Sequence, residues 1–224
     1  MNVRKTFDQI AAEYDTLKLR IIPAYQEIQQ LIDRLLAQPR ERPLRILELG
    51  TGTGLWAARF LRRHPAARYD GIEFSEQMRA LAETRLEPFK ERARLYDWDL
   101  NTCEFDSQYD LVVSFFTLHH VVDKAKLIKH IYRALETGGR FAYADVIRAK
   151  NERLERFFTD EWTAFMQRRK VEQARIDAIL ADHWENDLPE SVEQQLAYFK
   201  NAGFQTCGLV WQQGKFASFY GERE

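Results

Sequence analysis

Residues 46–54 read ILELGTGTG, an apolar run that ends in three glycines placed two residues apart. The run begins near Leu44, and its length and composition are typical of a strand buried on both faces. Gly50, Gly52 and Gly54 allow the backbone of a strand-to-helix turn to come within contact distance of a ligand, because a side chain there would obstruct it. This stretch therefore predicts a buried strand, a ligand-binding turn, and a helix whose N-terminus faces the ligand.

The spacing of the glycines bears on the class of ligand. A dinucleotide fingerprint counted from Gly50 would place Leu55 where glycine or alanine is needed, and the Gly-Lys-Ser/Thr ending of a phosphate-binding loop is absent. Glu48 adds a negative charge at the end of the strand, which suits a ligand with an ammonium and a sulfonium better than one with phosphates. Taken alone, the turn is equally compatible with a plain tight connection between strand and helix.

Strand-like and helix-like segments alternate on the C-terminal side of this turn, which implies parallel strands joined by helical crossovers. The fold class predicted is α/β: a Rossmann-like open sheet, mostly parallel, with helices on both faces. Apolar spacing also predicts an upstream helix over residues 21–37. Strands are predicted near 68–73, 93–97, 109–115 and 140–147, and helices near 54–63, 75–86 and 123–136. Ser75 is the predicted N-cap of its helix, and Gly138-Gly139 the predicted helix stop.

The pattern changes after the fifth strand. Residues 151–186 are helix-rich and charged but carry an apolar stripe, so this helical insertion either packs on the sheet or roofs a substrate pocket. A last helix over 191–202 is ended by Gly203. Two strands about Gly214 then predict a closing C-terminal antiparallel hairpin.

Acidic residues follow three successive predicted strands. Glu73 ends the second strand, where a carboxylate can accept both hydroxyls of a ribose. Asp97-Trp98-Asp99-Leu100 follows the third strand, where a carboxylate can accept from an adenine amino group while Trp98 or Leu100 packs near the ring. Each acid alone could equally be a solvated cap. Because parallel strands end at one edge of an open sheet, we expect these acids and Glu48 to converge on one ligand.

At this point the sequence resembles the class I S-adenosylmethionine-dependent methyltransferases. Glu48 to Gly54 looks like their first motif, Glu73 like their ribose acid, and Asp99 like their adenine acid. The stretches 109–120 and 135–141 look like their fourth motif and the turn into their fifth strand. The resemblance covers residues 44–147, and 203–220 resembles the family's terminal hairpin. Residues 7–15 look like the N-terminal lid of its small-molecule branch.

The resemblance implies one methyltransferase domain over residues 1–224. It would comprise a helical lid (1–40), a cofactor-binding core (44–147), a helical insertion (148–190), and a last helix with the hairpin (191–224). S-adenosylmethionine would be the cofactor and S-adenosylhomocysteine the product. The side chains and loop positions expected at the cofactor are Tyr14, Glu48, Gly50, Thr51, Gly52, Gly54, Glu73, Phe74, Met78, Asp97, Trp98, Asp99, Leu100, Ser114 and Phe115.

The reaction implied is in-line attack of an acceptor nucleophile on the methyl carbon, which needs orientation and exclusion of water rather than a covalent intermediate. A general base is required only where the acceptor is protonated. His119 and His120 are the candidate catalytic bases, because they follow the fourth strand and histidine titrates near neutrality. The alternative is that one of them caps or packs a short helix. No metal site is expected.

The charge balance and the cysteine content limit the classes of substrate and partner that we expect. With 33 basic and 34 acidic side chains the net charge is −1, so a small molecule is the expected substrate and nucleic acid is not an expected partner. No long apolar run and no signal-peptide core are seen, so we expect a cytoplasmic protein without a membrane association. Two cysteines indicate no disulfide framework and no zinc site. A monomer or homodimer is expected.

Two alternatives to small-molecule methylation stay open. One is an enzyme of RNA-modification pathways, either an RNA methyltransferase or a protein that converts the cofactor as carboxy-S-adenosylmethionine synthases do. The other is a non-catalytic subunit that keeps the fold and the cofactor. Three convergent carboxylates argue against the second, because a scaffold has no physical need of them.

Overall fold

Strand β1 (Arg45–Leu49), which precedes the glycines, is an inner strand of the sheet. This computed structural model describes residues 3–37, 42–106 and 108–224, with the side chains of residues 3–6 left aside. The other strands are β2 (Arg68–Ile72), β3 (Ala93–Tyr96), β4 (Tyr109–Phe115), β5 (Leu135–Val146), β6 (Thr206–Gln213) and β7 (Phe216–Glu222).

Within those ranges the strands form a seven-stranded sheet in the order β3-β2-β1-β4-β5-β7-β6. Strands β1 to β5 pair in parallel, while β7 runs antiparallel to both β5 and β6. The predicted Rossmann-like sheet with a C-terminal antiparallel hairpin is confirmed. Gly214, with φ of +55°, lies between the two hairpin strands.

Helices cover both faces of the sheet because the central strands alternate their side chains between two cores. On β4, Leu111 and Val113 pack into one core while Val112 packs into the other. The helices are α1 (Val3–Ile10), α2 (Tyr14–Ile21), α3 (Tyr25–Leu36), α4 (Leu55–Arg63), α5 (Glu76–Leu86), α6 (Lys124–Ala134), α7 (Glu152–Arg168), α8 (Gln173–Asn186) and α9 (Val192–Ala202). Helices α3, α4, α7 and α8 line the first core, and α6 and α9 line the second.

The helix predicted over residues 21–37 is two helices. Ile22 is extended, with φ of −109° and ψ of 114°, and Ala24 is left-handed at φ of +52°. Pro23 between them explains the break, because proline disfavours a helical conformation in the residue before it. The predicted end of the lid at residue 40 lies outside the described residues.

The predicted helix stop at Gly138-Gly139 is wrong. Helix α6 ends at Ala134, and Gly138 lies in the irregular first part of β5 with φ of +71°. Its backbone N–H donates to the carbonyl of Arg223 at 2.6 Å, so this glycine is part of the sheet and does not end the helix. Ser75 is confirmed as the N-cap of α5, where its Oγ accepts from the N–H of Met78 at 3.2 Å.

The helical insertion predicted after the fifth strand corresponds to α7 and α8. Both pack against the first core through residues such as Trp162 and Ile176. The chain then returns to the sheet, where Glu190 bridges to Ile147 at the end of β5. Among the described residues, no helix combines the length and apolar character that a membrane crossing requires.

Two glycines on the hairpin provide a matched test of the packing between the hairpin and α9. A Cβ at Gly221 of β7 would lie 2.6 Å from the Phe199 ring and 2.8 Å from the Phe204 ring, whereas one at Gly208 of β6 meets nothing within 4 Å. Gly221→Ala should lower the free energy of unfolding by about 1–3 kcal/mol through overpacking. Gly208→Ala should change it by less than about 0.5 kcal/mol. Urea denaturation measures both, and equal stabilities of the two variants would contradict the packing described.

Candidate functional site

A cavity of about 200 Å³ opens at the carboxyl edge of β1, β2 and β4. Helices α1 and α2 cover it from the N-terminal side and contribute Phe7, Tyr14 and Lys18 to its wall. The remaining lining residues are Tyr25, Glu48, Gly50, Thr51, Gly52, Thr53, Leu55, Trp56, Ile72, Glu73, Phe74, Met78, Trp98, Asp99, Leu100, Asn101, Phe115, Phe116, Thr117, His120 and Val121.

The three glycines after β1 share a left-handed backbone, with φ of +75°, +58° and +74°, but they are needed for different reasons. A Cβ at Gly50 would lie 2.0 Å from Thr117 Oγ1, and one at Gly54 would lie 3.1 Å from the backbone of Ala82. A Cβ at Gly52 would meet only the Tyr14 ring, at 3.9 Å. Gly50 and Gly54 are therefore required by neighbouring protein atoms, whereas the space before Gly52 is open. The prediction that a side chain at these positions would obstruct a ligand stays a prediction.

Glu48 ends β1 with its carboxyl group buried, at 2% exposure. Tyr69 of β2 donates its hydroxyl to Glu48 Oε2 at 2.5 Å, and Thr51 Oγ1 lies 2.9 Å from the same hydroxyl. Burial away from water raises the pKa of Glu48 to about 8, although Tyr69 and the nearby Lys18 ammonium oppose the shift. Burial therefore favours the neutral form of this carboxyl near pH 7.

Glu73 follows β2 and receives two backbone hydrogen bonds. Gly52 N–H donates to Oε2 at 2.8 Å, and Ser75 N–H donates to Oε1 at 2.9 Å. Burial nevertheless raises the pKa of this carboxyl. A carboxylate has about four acceptor positions, so each oxygen keeps one for a ligand hydroxyl. The side chain joins the glycine turn to the start of α5 and still faces the cavity.

The segment after β3 supplies the exposed end of the cavity. Asp99 Oδ1 accepts from the backbone N–H and the side-chain amide of Asn101, at 2.9 and 2.8 Å. The Trp98 ring stacks on Tyr96 with centroids 4.3 Å apart. Asp97 is exposed and lies outside the lining.

The end of β4 forms the inner wall. Ser114 is fully buried and donates its hydroxyl to the Leu49 carbonyl at 2.8 Å, so it joins β4 to β1 and does not line the cavity. Phe115 and Phe116 do line it, and Phe116 adopts a left-handed φ of +57°. Strain of this kind is held in place by packing and is concentrated at functional sites. Here Tyr25 packs on the Phe116 ring with centroids 5.8 Å apart.

Two aspartates fasten the N-terminal helices to this edge of the sheet. Asp8 Oδ1 accepts from the Ser75 hydroxyl at 2.6 Å, which places α1 against the start of α5. Asp15 accepts from Thr53 Oγ1 at 2.7 Å and from the Lys18 ammonium at 2.7 Å, and it pairs with Arg85 at 2.9 Å. Helix α2 is thereby tied to the glycine turn itself.

The two candidate bases have different surroundings. His120 lines the cavity, and its ring meets Phe7 edge-on with centroids 5.5 Å apart. Burial lowers the pKa of His120. His119 points away from the cavity, and its Nδ1 forms a short hydrogen bond with the buried Asp145 of β5. The Asp145 and Asp187 carboxylates raise the pKa of His119 against the opposing effect of burial.

The structure brings together every residue expected at the cofactor except Gly54, Asp97 and Ser114. Sequence reasoning missed Lys18, Tyr25, Phe116 and Thr117, which also line the cavity. Lys18 and Tyr25 reach it only because α2 and α3 fold over the sheet, and no local pattern in the sequence signals that packing. Asp15 was part of the lid-like stretch, yet nothing in that stretch predicts its bond to Thr53.

Comparison with known proteins is consistent with this geometry. Carboxy-S-adenosyl-L-methionine synthase of Nautilia profundicola is 24% identical over 216 residues, which span 95% of this chain and 91% of that protein. Demethylmenaquinone methyltransferase of Thermus thermophilus is 31% identical over 138 residues, which span 60% of this chain and 61% of that protein.

The crystal structure of a methyltransferase from Thermotoga maritima, described as a possible histamine N-methyltransferase, superimposes with a TM-score of 0.66. It is 19% identical in sequence, and the match covers 97% of this chain and 98% of that one. At this identity the likeness shows a shared fold. The family described as a methyltransferase domain matches residues 21–204, which is most of the chain. The protein therefore belongs to the methyltransferase-domain family, and the resemblance to the class I S-adenosylmethionine-dependent methyltransferases is confirmed.

Proposed function

We propose that this enzyme transfers the methyl group of S-adenosylmethionine to a small-molecule acceptor bound beneath α1 and α2. The observation that carries the proposal is the convergence of Glu48, Glu73 and Asp99 on one cavity, with open space in front of Gly52. Three carboxylates spaced along one edge of the sheet match a ligand that carries an ammonium, a ribose and an adenine amino group.

Each acid has a separate role in this proposal. Glu48 would face the ammonium of the methionine part, because its buried carboxyl gains most from a positive partner. Glu73 would accept the two ribose hydroxyls with the acceptor positions that Gly52 and Ser75 leave open. Asp99 would accept from the adenine amino group, with Met78 and Leu100 as apolar neighbours of the ring.

When bound, S-adenosylmethionine supplies an electrophilic methyl group on a positively charged sulfur. The protein holds the acceptor in line and keeps water away, which is sufficient for displacement. Phe7, Tyr14 and Phe116 provide aromatic walls for this purpose. His120, alone of the two histidine candidates, faces the cavity and could accept a proton from an acceptor hydroxyl or amine.

The N-terminal helices favour a small acceptor. Residues 3–37 act as a lid in this proposal, because α1 and α2 cover the cavity and hold it through Asp8 and Asp15. A polymer would have to displace both helices to reach the sulfur. The chain's net charge of −1 also provides no general attraction for a polyanion.

A second candidate is synthesis of a carboxylated cofactor, since the match to the Nautilia profundicola synthase extends over nearly the whole chain. A carboxylated sulfonium carries an additional negative charge that requires a cationic partner. Lys18 is the one Lys or Arg side chain lining the cavity within the described residues, and its ammonium is already paired with Asp15 at 2.7 Å. The geometry therefore favours the ordinary methyl donor.

Mass spectrometry of ligands that survive purification tests the choice between the two. We expect S-adenosylmethionine or S-adenosylhomocysteine to be retained, and we expect titration calorimetry to show tighter binding of these two than of the carboxylated cofactor. Preferential retention of the carboxylated compound would contradict methyl transfer and support synthesis of a carboxylated cofactor.

The glycine turn offers a matched pair of variants. Gly52 and Gly214 have similar left-handed φ values of +58° and +55°, and neither Cβ would meet a protein atom closer than 3.9 Å. Valine at either position should cost similar backbone strain, about 1–3 kcal/mol. Gly52→Val should also fill the cofactor space and weaken S-adenosylhomocysteine binding by about 100-fold or more, equivalent to about 2.7 kcal/mol. Calorimetry should find wild-type affinity in Gly214→Val, and unchanged affinity in Gly52→Val would count against the proposed site.

The raised pKa of Glu48 leads us to expect that cofactor binding releases a proton. Its pKa of about 8 in the free protein, against an ordinary value of 4.5, means that the neutral form stabilises the fold. That contribution is complete below about pH 4.5 and is lost as the pH rises through about 8. A bound ammonium favours the ionised form, so binding at pH 7 should release about one proton.

Calorimetry in buffers of different ionisation enthalpy measures this release. The apparent enthalpy should vary with the buffer for the wild type and should not vary for Glu48→Gln. Wild-type enthalpies that are identical in all buffers would show that Glu48 does not face the ammonium.

A further inference from the structure

Three side chains beside the cavity form a compact group that the proposed cofactor contacts do not use. His119 and His120 lie on the short 3-10 turn after β4, and Asp187 follows α8. One ligand atom from each can be chosen so that all lie within 4.8 Å of one another. We refer to these three residues as the His–Asp cluster.

Backbone hydrogen bonds hold the two parts of the cluster together. The N–H of Leu188 donates to the carbonyl of His119 at 2.8 Å, next to Asp187 in the chain. The Lys124 ammonium donates to the carbonyls of Leu188 and Val121, at 2.7 and 2.9 Å. Asp187 therefore has a fixed position relative to the histidines, although 67 residues separate it from His120 in the sequence.

The separations within the cluster are unlike those of hydrogen bonds. Asp187 Oδ1 lies 3.7 Å from His119 Nε2 and 3.3 Å from His120 Nδ1, beyond the usual 2.7–3.2 Å of an N–H···O bond. Ligands at about 2.0–2.1 Å from a tetrahedral zinc ion are about 3.4 Å apart. The two separations from Asp187 Oδ1 are thus close to those between the ligands of one tetrahedral ion, and a ligand atom can be chosen from each of the three residues so that all lie within 4.8 Å of one another.

Two members of the cluster, His119 and Asp187, are oriented by hydrogen bonds to the atoms that do not face the cluster, His119 Nδ1 and Asp187 Oδ2. His119 Nδ1 is hydrogen-bonded to Asp145, which leaves Nε2 directed at Asp187. His183 Nδ1 lies 2.7 Å from Asp187 Oδ2, which leaves Oδ1 for the cluster. Metal-binding histidines almost always donate their second ring N–H to a carboxylate or carbonyl in this way.

Two further observations are those expected of a cation site. Neither ring nitrogen of His120 has a hydrogen-bond partner within the described part of the chain, although both are buried. Asp145 is fully buried and Asp187 nearly so, yet neither forms a salt bridge with a lysine or arginine among the described residues. Buried carboxylates require a compensating positive charge, which the neighbouring imidazoles supply only when they are protonated and which a metal ion would supply in their neutral form.

We propose that His119 Nε2, His120 Nδ1 and Asp187 Oδ1 bind a divalent transition-metal ion of the zinc type. Imidazole nitrogen with a carboxylate oxygen is a common ligand set for such ions. Three protein ligands leave a tetrahedral ion one position short, as in catalytic zinc sites. Water or another small donor would fill the fourth position, and His120, the one ligand of the three that also lines the cavity, would connect the ion to the cavity wall.

Cobalt(II) is the probe for this site because its visible absorption reports coordination geometry. Protein stripped with a chelator should bind one Co²⁺ per chain with the intense bands of a tetrahedral site, and Zn²⁺ should displace it. Asp187→Asn and His120→Gln should abolish the bands. Asp145→Asn should weaken Co²⁺ binding about 10- to 100-fold through loss of the orienting bond to His119.

His64→Gln is the matched control, because His64 caps the far end of α4 and its ring stacks on Phe60. This variant should bind Co²⁺ like the wild type. Circular dichroism of each variant separates loss of metal from loss of fold. Absence of the tetrahedral bands in the wild type would overturn the proposal, and so would equal Co²⁺ affinity in the wild type and in folded Asp187→Asn. In either case the positive charge of the cluster would come from protonated histidines and not from a metal ion. Both results are independent of methyl-transfer activity.

Discussion

A carboxyl group buried near the end of β1, an inner strand of the sheet, is the constraint on which the site depends. Burying Glu48 away from water is unfavourable for its charged form, and the Tyr69 hydroxyl offsets only part of that cost. Tyr69 can reach it because β1 and β2 pair in parallel, with Glu48 opposite Gly71. A Cβ at Gly71 would lie 2.6 Å from the Tyr69 hydroxyl and 2.3 Å from Thr51 Oγ1, so glycine keeps this network open. The sheet therefore presents an acid whose pKa is raised by burial.

The helices α1 and α2, which we propose as a lid, depend on the same edge of the sheet. Asp15 joins α2 to Thr53 and Arg85, and Asp8 joins α1 to the cap of α5, so the helices rest on polar contacts at their ends. Such contacts are individually weak when partly exposed. Burial of Ala11 and Leu17 adds apolar packing to these polar contacts. The turn and the lid are mechanically coupled, because Thr53 belongs to one and its partner to the other.

The helical insertion packs on the sheet and also positions Asp187. Its α7 and α8 pack on one core, as an apolar stripe implies, and the segment after α8 returns Asp187 to the end of β4. If a metal ion occupies the His–Asp cluster, His120 would be a ligand of that ion rather than a base. The proposed donor site and the proposed metal site would then share one cavity wall while using different residues.

Much of the fold was predictable from local patterns. Apolar runs broken by glycine, alternating with amphipathic stretches, determine the parallel strands β1 to β5 and their helices, since periodicity reflects which faces are buried. The residues after each strand must meet at one edge, so Glu48, Glu73 and Asp99 could be placed at a common site before any coordinates. The break at Pro23 and the early end of α6 were missed, although a proline signal was present for the first.

Tertiary structure alone decided the rest. Contacts such as Asp15 with Thr53, Thr117 with Gly50 and Asp187 with the histidines join segments far apart in the chain, and no periodicity encodes them. Gly50 and Gly52 look equivalent in the sequence, yet one is required by a protein side chain and the other faces the open cavity. Local sequence determines which elements form and which edge they share, because those choices depend on neighbouring residues. Packing between distant elements determines which side chains meet at that edge.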